Sequence, residues 1–231
     1  MSGFSDIHVH FVYGVDDGAK TKEDMERMLD AAHADGMALM IGTSHVTPGV
    51  QPFPQALYDQ HIEEARAYCR EKGYSIQIFS GAEILYTPAI EPYARERKLP
   101  TLGGSSRILM EFVPDVSYHD VEYAVSLMEN SGYLPILAHI ERYPCLRKGA
   151  AYRLKERHRV KFQVNCSTVI DQHRLFSGRY VKGWLKDRLI NYVATDSHNC
   201  TTRPTRMREA YGVLEAMVGE PYARKLTGWQ D

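Results

Sequence analysis

Short apolar runs rich in β-branched residues alternate with longer amphipathic stretches from one end of the chain to the other. The runs with strand character cover 6–10, 38–43, 75–81, 107–113, 134–139, 161–166 and 191–196. Bounded by turn residues and too short for helices, they read as buried strands. Between them apolar residues return with helical period over 21–35, 55–72, 119–130, 150–157, 180–189 and 207–218. Gly36 and Gly73 follow the first two of these periods directly, and Gly132 lies just past the third. That is where a left-handed residue ends a helix. Seven strands, each followed by helical material, predict a parallel α/β domain whose size suits a closed barrel or a doubly wound sheet. No Pro-, Gly- or Ser-rich linker, low-complexity tract or longer repeat divides the chain, so a single domain over 1–231 is expected.

Composition narrows the class without changing that picture. With 231 residues, 44% hydrophobic and 25% charged, the chain is globular rather than disordered, collagen-like or disulfide-stapled. A core of this size folds without a metal, so any metal would be present for chemistry. Lys and Arg number 28 against 29 Asp and Glu, for a formal charge of -1. Nothing global therefore draws the chain to nucleic acid or to anionic lipid. Cys69, Cys145, Cys166 and Cys200 are scattered without a CxxC pair, as expected of reduced thiols. The opening Met-Ser-Gly-Phe-Ser-Asp-Ile-His lacks a basic and apolar leader, and no segment reaches the ~18 apolar residues of a membrane span. A cytoplasmic location without membrane insertion is the expectation. No sequence feature specifies an oligomeric state. The one compositional departure is histidine, ten residues against seven phenylalanines.

The histidines acquire meaning from where the predicted strands end. The first strand closes on His8-Val-His10, and the period of two puts both imidazoles on one face. The second leads into His45, the third into Glu83 and the fourth into Glu111; the fifth ends at His139, and the seventh leads into Asp196 and His198. A lone His or Glu after a strand is ordinarily a solvated or satisfied polar group. Six of seven strands delivering such a residue to the same rim is a different matter, because that rim is where parallel barrels build active sites. Asp16-Asp17-Gly18, in the loop after the first strand, reads as a turn and also offers Asp17 as a further ligand. His8, His10, Asp17, His45, Glu83, Glu111, His139, Asp196 and His198 make nine candidates, too many for one ion and enough for two or three. Nitrogen and carboxylate donors without thiolate suit Mn, Fe or Zn. Such a centre activates water and clamps the oxygens of a displacement at phosphorus. Arg142 and Arg203, close to His139 and His198 in the chain, supply guanidinium forks that match phosphate.

The blocks Asp6-Ile-His-Val-His10, Val15-Asp-Asp-Gly-Ala19, Thr43-Ser-His45, Gly81-Ala-Glu-Ile-Leu-Tyr-Thr-Pro88, Leu109-Met-Glu-Phe112, Ala138-His-Ile-Glu-Arg-Tyr143, Gln163-Val-Asn165 and Thr195-Asp-Ser-His-Asn199 closely resemble the CpsB/YwqE-type bacterial protein-tyrosine phosphatases of the PHP (polymerase and histidinol phosphatase) superfamily. The resemblance runs in order from about residue 5 to 227. It implies a distorted (β/α)7 barrel of PHP type holding three metal ions, often manganese, with iron or zinc open. Carried over by position, His8, His10, Glu83 and Asp196 would hold the first ion. Glu83, Glu111 and His139 would hold the second, with Glu83 bridging, and Asp17, His45 and His198 the third. Arg142 and Arg203 would bind the substrate phosphate. The implied substrate is phosphotyrosine in the C-terminal tail of a cognate tyrosine kinase that controls capsule or exopolysaccharide assembly. The implied reaction is a direct in-line attack by a metal-bridging hydroxide. The chain departs from many relatives at Val46 and over Cys166-Ser-Thr-Val169, which bears on the peptide around the phosphotyrosine and not on the ligands.

Three rival readings stand beside this one. Cys200 and Arg206 have the C-x5-R spacing of cysteine-dependent phosphatases, but Thr-Thr-Arg-Pro-Thr between them has no Gly, and Pro204 contributes no N–H to a phosphate cradle. A PHP phosphoesterase acting on a small monoester such as histidinol phosphate, or on a nucleic-acid phosphodiester, would keep the same metals. A non-catalytic binding module should show eroded ligands, and all nine are present. Tyr86, Phe53 and Tyr143 are either packing residues or the lining of a phosphotyrosine pocket. His33, His61, His119, His158 and His173 lie away from the strand ends and are expected at the surface.

Overall fold

A computed structural model of the chain describes residues 3–171 and 178–229. His173 lies outside the described residues. The chain runs β1 (Phe4–Val9), α1 (Lys22–Asp35), β2 (Met37–Gly42), β3 (His45–Val46), α2 (Gln55–Glu71), β4 (Gln77–Ser80), β5 (Glu83–Leu85), α3 (Glu91–Arg95), β6 (Arg107–Glu111), α4 (Tyr118–Asn130), β7 (Leu134–Leu137), α5 (Ala150–Arg157), β8 (Lys161–Asn165), α6 (Cys166–Ile170), α7 (Gly178–Lys186), β9 (Tyr192–Ala194), α8 (Met207–Val218) and α9 (Glu220–Leu226). Local chemistry accounts for the helix limits. In α1, Thr21 and Asp24 form a reciprocal capping box, Met25, Met28, Leu29 and Ala32 make the buried stripe, and Gly36 ends the helix in the left-handed region. The helix over 119–130 starts one residue early because the Ser117 hydroxyl caps the Asp120 N–H.

All strand pairings are parallel, as the alternation of strands and helices predicts. One sheet has the order β1-β2-β4 and the other β3-β5-β6-β7-β8-β9. A single bridge from Val9 to Ser197 brings the strip beyond β9 against β1, so the sheet curls on itself. Two predicted strands each end at a break with a further short strand beyond it. The run over 38–43 is β2, with β3 after its expected end, and the run over 75–81 contains β4, with β5 after its expected end. The cause is Tyr58, inserted from α2 with its hydroxyl 2.7 Å from the Gly42 carbonyl and 2.9 Å from that of Gly81, while accepting from Gly81 N–H at 3.0 Å. It satisfies backbone groups that the interrupted ladder leaves over. A Cβ at Gly81 would stand 2.7 Å from Ile41 Cγ2 and 2.9 Å from Leu102 Cδ2, so the break requires glycine there. His45 and Glu83 therefore open short strands of their own, and they pair directly with each other.

Alternate strand positions divide the interior. Ile7, Ile41, Leu109, Ile136, Ala138, Tyr192 and Ala194 gather on the concave face of the curled sheet with Leu102. The opposite face packs against the helices in a larger cluster that includes Met40, Met110, Leu137, Phe162, Val164 and Val193. No helix among the described residues is long and apolar enough to cross a membrane.

Candidate metal centre

The strand ends bring all nine candidate residues together. Among the described residues, four groups have donor atoms mutually within 4.8 Å: His10, Asp17, His45 and His198; His8, Glu83 and His139; His8, His10 and Asp196; and His45, Glu83 and Glu111. The groups overlap, so they form one connected cluster of donors and not four sites. Glu83 is its hub. Its carboxylate lies 3.1 Å from His8, 3.3 Å from His10, 3.2 Å from His45 and 2.8 Å from His139. Burial would raise its pKa, but the imidazoles of His8, His10 and His139 hold it well below the usual carboxylate range.

The cluster passes a direct test of fit to cations. His8, His10 and His198 are buried, and their Nε2 atoms make no hydrogen bond. A buried polar atom without a partner is costly, and three in one cluster signal a missing ligand of another kind. The Nε2 atoms of His8 and His10 instead face Glu83 and Asp196 oxygens across 3.1 to 3.6 Å, with the space and polarity of ligands around an ion. The opposite nitrogens are engaged by the protein. His10 Nδ1 meets Asp16 Oδ2 at 2.8 Å, and His8 Nδ1 meets Gln163 Oε1 at 3.2 Å. Bonding one ring nitrogen of a histidine this way leaves the other unprotonated for a metal.

Electrostatics follow from the crowding. Burial would lower the pKa of His10, but Asp16 and Glu83 outweigh it and push it up to about 10. His198 goes the other way, to about 4, because burial, His10 and Arg203 all disfavour its charge. Its ring centroid is 3.9 Å from that of His10. Asp16 drops to about 2, since its bond to His10 more than offsets its own burial. A cation replaces protons on this set, so ion binding releases them.

Arg142 and Arg203 converge on Asp196 from its two oxygens, Nη2 of Arg142 on Oδ2 at 2.5 Å and Nη2 of Arg203 on Oδ1 at 2.8 Å. Each guanidinium carries five donors, so most remain for a further anion. With Ser167, Thr202 and Arg206 they line a cavity of about 150 Å³ beside the cluster. A larger cavity of about 450 Å³, lined by Phe53, Tyr58 and Tyr93 among others, touches none of the nine.

Several residues that hold the site carry no motif of their own in the sequence. Asp16 reads as half of a turn, yet it also binds Gly18 N–H at 2.9 Å and His45 N–H at 3.2 Å, tying three parts of the rim together. Gly18 is required because a Cβ there would fall 2.1 Å from the His10 carbonyl. Buried Asp6 joins the first strand to the last through Thr195 and His8 N–H. Tyr143 proves a packing residue: it is fully buried, accepts from Phe112 N–H at 3.1 Å and contacts His139 Nδ1 at 3.2 Å, so it cannot line a substrate pocket. Tyr86 packs half-buried against Phe112. His61 is not at the surface. It is buried, stacks on Tyr13 and bonds the Tyr13 carbonyl at 2.9 Å, because its helix face turns toward the loop after β1. His158 is half-buried against Glu129, while His33 and His119 are exposed.

Comparison with known proteins gives the family. The profile of the family described as capsular polysaccharide synthesis, CpsB/CapC, matches residues 4–229. The tyrosine-protein phosphatase CpsB of Streptococcus agalactiae is 29% identical over 233 residues, covering 96% of this chain and 93% of the relative. The tyrosine-protein phosphatase YwqE of Bacillus subtilis is 30% identical over 231 residues, covering 96% and 88%. A crystal structure from work on YwqE of Bacillus subtilis and CpsB of Streptococcus pneumoniae, described as unique metal-dependent tyrosine phosphatases, superposes with a TM-score of 0.84 at 26% identity, covering 98% of this chain and 96% of that one. Because the match spans every strand that contributes to the cluster, the chain belongs to the CpsB/CapC family of capsular polysaccharide synthesis proteins.

Proposed function

We propose that this chain is a metal-dependent protein-tyrosine phosphatase acting on phosphotyrosine in the C-terminal tail of a bacterial tyrosine kinase that regulates capsule or exopolysaccharide synthesis. That substrate places the enzyme in the cytoplasm, where such a kinase finds its ATP. The observation that carries the reading is the convergence of nine donors, three of them buried imidazole nitrogens without hydrogen bonds, on a point that two arginines also reach. We read the curled sheet as a distorted (β/α)7 barrel of PHP type, one domain over 1–231, with each broken strand pair counted once.

By the family resemblance, His8, His10, Glu83 and Asp196 would hold a first ion, Glu83, Glu111 and His139 a second, and Asp17, His45 and His198 a third; the donor groups of the structure overlap these sets without coinciding with them, and manganese, iron and zinc all suit the donors. Such ions supply an activated water and neutralise charge on phosphate oxygens. The chain's own groups do the rest. Arg142 and Arg203 stand ready to fork onto the equatorial oxygens and take up charge as the bond to the leaving group breaks. Asp196 holds both guanidiniums in place. Tyrosinate leaves with little need of a general acid, since a phenol has a pKa of about 10.

The test compares kcat/KM for a phosphotyrosyl peptide, histidinol phosphate and single-stranded DNA, with chelation and Mn2+ add-back. Highest activity on the peptide, lost on chelation and restored by Mn2+, is the expected result. Preference for either of the other substrates, or activity indifferent to chelation, would overturn it.

A further inference from the structure

β8 is the odd strand of the concave face. Its neighbours and the strands opposite point Ile7, Ile41, Leu109, Ile136, Tyr192 and Ala194 inward, all buried and apolar. β8 instead places two buried amides, Gln163 and Asn165, beneath the metal cluster. Neither offers an imidazole, carboxylate or thiolate donor. Two amides held away from water need partners, and these have them in an unbroken chain.

The partners fix which way each amide points. Gln163 Oε1 accepts from His139 N–H at 2.7 Å, and a backbone N–H can only donate. The oxygen end of Gln163 therefore faces His139, and its nitrogen faces Asn165 Oδ1 at 2.8 Å. That leaves Asn165 Nδ2 to donate to Asp196 Oδ2 at 2.8 Å, which a carboxylate can only accept. The backbone donor at one end and the carboxylate at the other demand the same orientation. The same Gln163 oxygen lies 3.2 Å from His8 Nδ1. Since that oxygen cannot donate, His8 carries a proton on Nδ1, and the neutral ring then presents a bare Nε2, the atom found without a hydrogen bond.

The chain also reaches the two strained residues of the site. His139 has φ 32° and Asp196 φ 52°, left-handed values that cost a side-chain-bearing residue and persist only where neighbours enforce them. His139 is held through its N–H by Gln163, and Asp196 through its carboxylate by Asn165. Asn165 is in turn fixed by its N–H bond to buried Glu141 at 2.9 Å.

We infer that Gln163 and Asn165 are positioning residues of the metal centre: Gln163 sets the His8 tautomer and the left-handed turn at His139, and Asn165 orients the Asp196 carboxylate. The inference rests on reading the cluster as a metal site. Its test is Mn2+ affinity of the whole protein, measured by equilibrium dialysis with bound ion counted. Outer partners of metal ligands are typically worth roughly 10- to 100-fold in affinity. Gln163→Met, which removes both ends of the amide, should weaken binding by about that factor. Gln163→Glu keeps an acceptor for His8 and His139, replaces the donor to Asn165 by a second oxygen and adds a charge that favours a nearby cation, so it should cost less, under about tenfold. Gln163→Met within about threefold of the unaltered protein, or equal losses in the two variants, would overturn the inference alone. Unaltered protein that takes up no Mn2+ would overturn the metal reading itself. A second measurement needs no variant. Imidazole 15N spectra of the Zn2+-loaded protein should show His8 protonated at Nδ1 and bound through Nε2, and the opposite tautomer would sink the inference.

Discussion

On one side of the cluster His8, His10, His139 and Asp196 are sealed from solvent, none with a side chain more than 3% exposed. On the other, Asp17 is 61%, His45 36% and Glu111 21% exposed. The sealed side is held by the protein. Gln163, Asp16, Asn165 and Tyr143 each bond a candidate ligand from behind. The open side is held mainly by contacts within the cluster, His45 with Asp17 at 3.3 Å and with Glu111 at 3.3 Å. Buried charge must be paired to be tolerated, so the sealed side is preorganised, whereas the open side can rearrange as substrate enters. The two arginines belong to the open side by exposure and reach across to Asp196 on the sealed one.

The strongest way to break this division is to remove the residue that both sides share. Glu83→Gln should lower kcat/KM by about a thousandfold, or about 4 kcal/mol, and strip bound ions from both sides together. Retention of all ions with less than a tenfold loss would show that Glu83 is not the hub. The arginines come next. Hydrogen bonds to charged groups are worth about 1.5–3 kcal/mol, so Arg142→Ala and Arg203→Ala should each lower kcat/KM for a phosphotyrosyl peptide by about ten- to a hundredfold with ion content unchanged. Loss of ions in either variant would mean that the guanidiniums serve Asp196 more than substrate. Asp17→Asn should be milder, with kcat/KM down about tenfold, the ions of the sealed side retained and the melting temperature of the loaded protein little changed. A melting temperature that falls as far as in Glu83→Gln would erase the contrast between the sides.

The convergence of the nine candidate donors was legible in the sequence because strand ends are: a β-rich run followed by His, Asp or Glu marks the rim wherever the run is clean. His8, His139 and Asp196 announce themselves this way. The breaks after Gly42 and Gly81 were not legible, because their cause is a tyrosine hydroxyl from another element, Tyr58, at a distance of 16 and 23 residues. The short helices α3, α6 and α9 were missed for a related reason, since five to seven residues display too little period to register. The supporting residues were hidden differently. Asp16 satisfies a turn pattern on its own, Gln163 and Asn165 stand in a strand whose alternation is polar and apolar as in any half-buried strand, and only the fold shows that their polar face points inward. His61 is the converse case: a histidine on a helix is ordinarily solvated, and this one is buried because Tyr13 covers it.

The smallest expected effect concerns Cys200, which is exposed and shares with Arg206 the spacing of a cysteine-dependent phosphatase. Such a loop needs free N–H groups turned toward phosphate, a thiol that ionises readily and an arginine available to the substrate. Here the N–H groups of Thr201, Thr202 and Arg203 are all taken by Asn199 Oδ1, at 2.9, 2.8 and 3.1 Å. Partial burial pushes the Cys200 thiol up, away from thiolate. Arg206 is committed to Glu209 at 2.8 and 2.9 Å and to Asp171 at 3.3 Å. Cys200→Ser should therefore leave kcat/KM within about twofold, as for an exposed residue outside the chemistry. Assayed beside Asp17→Asn, it separates a loss of open-side chemistry from the effect of altering an exposed residue outside the cluster. A loss in Cys200→Ser larger than that in Asp17→Asn would assign the nucleophile to the thiol and dissolve the comparison.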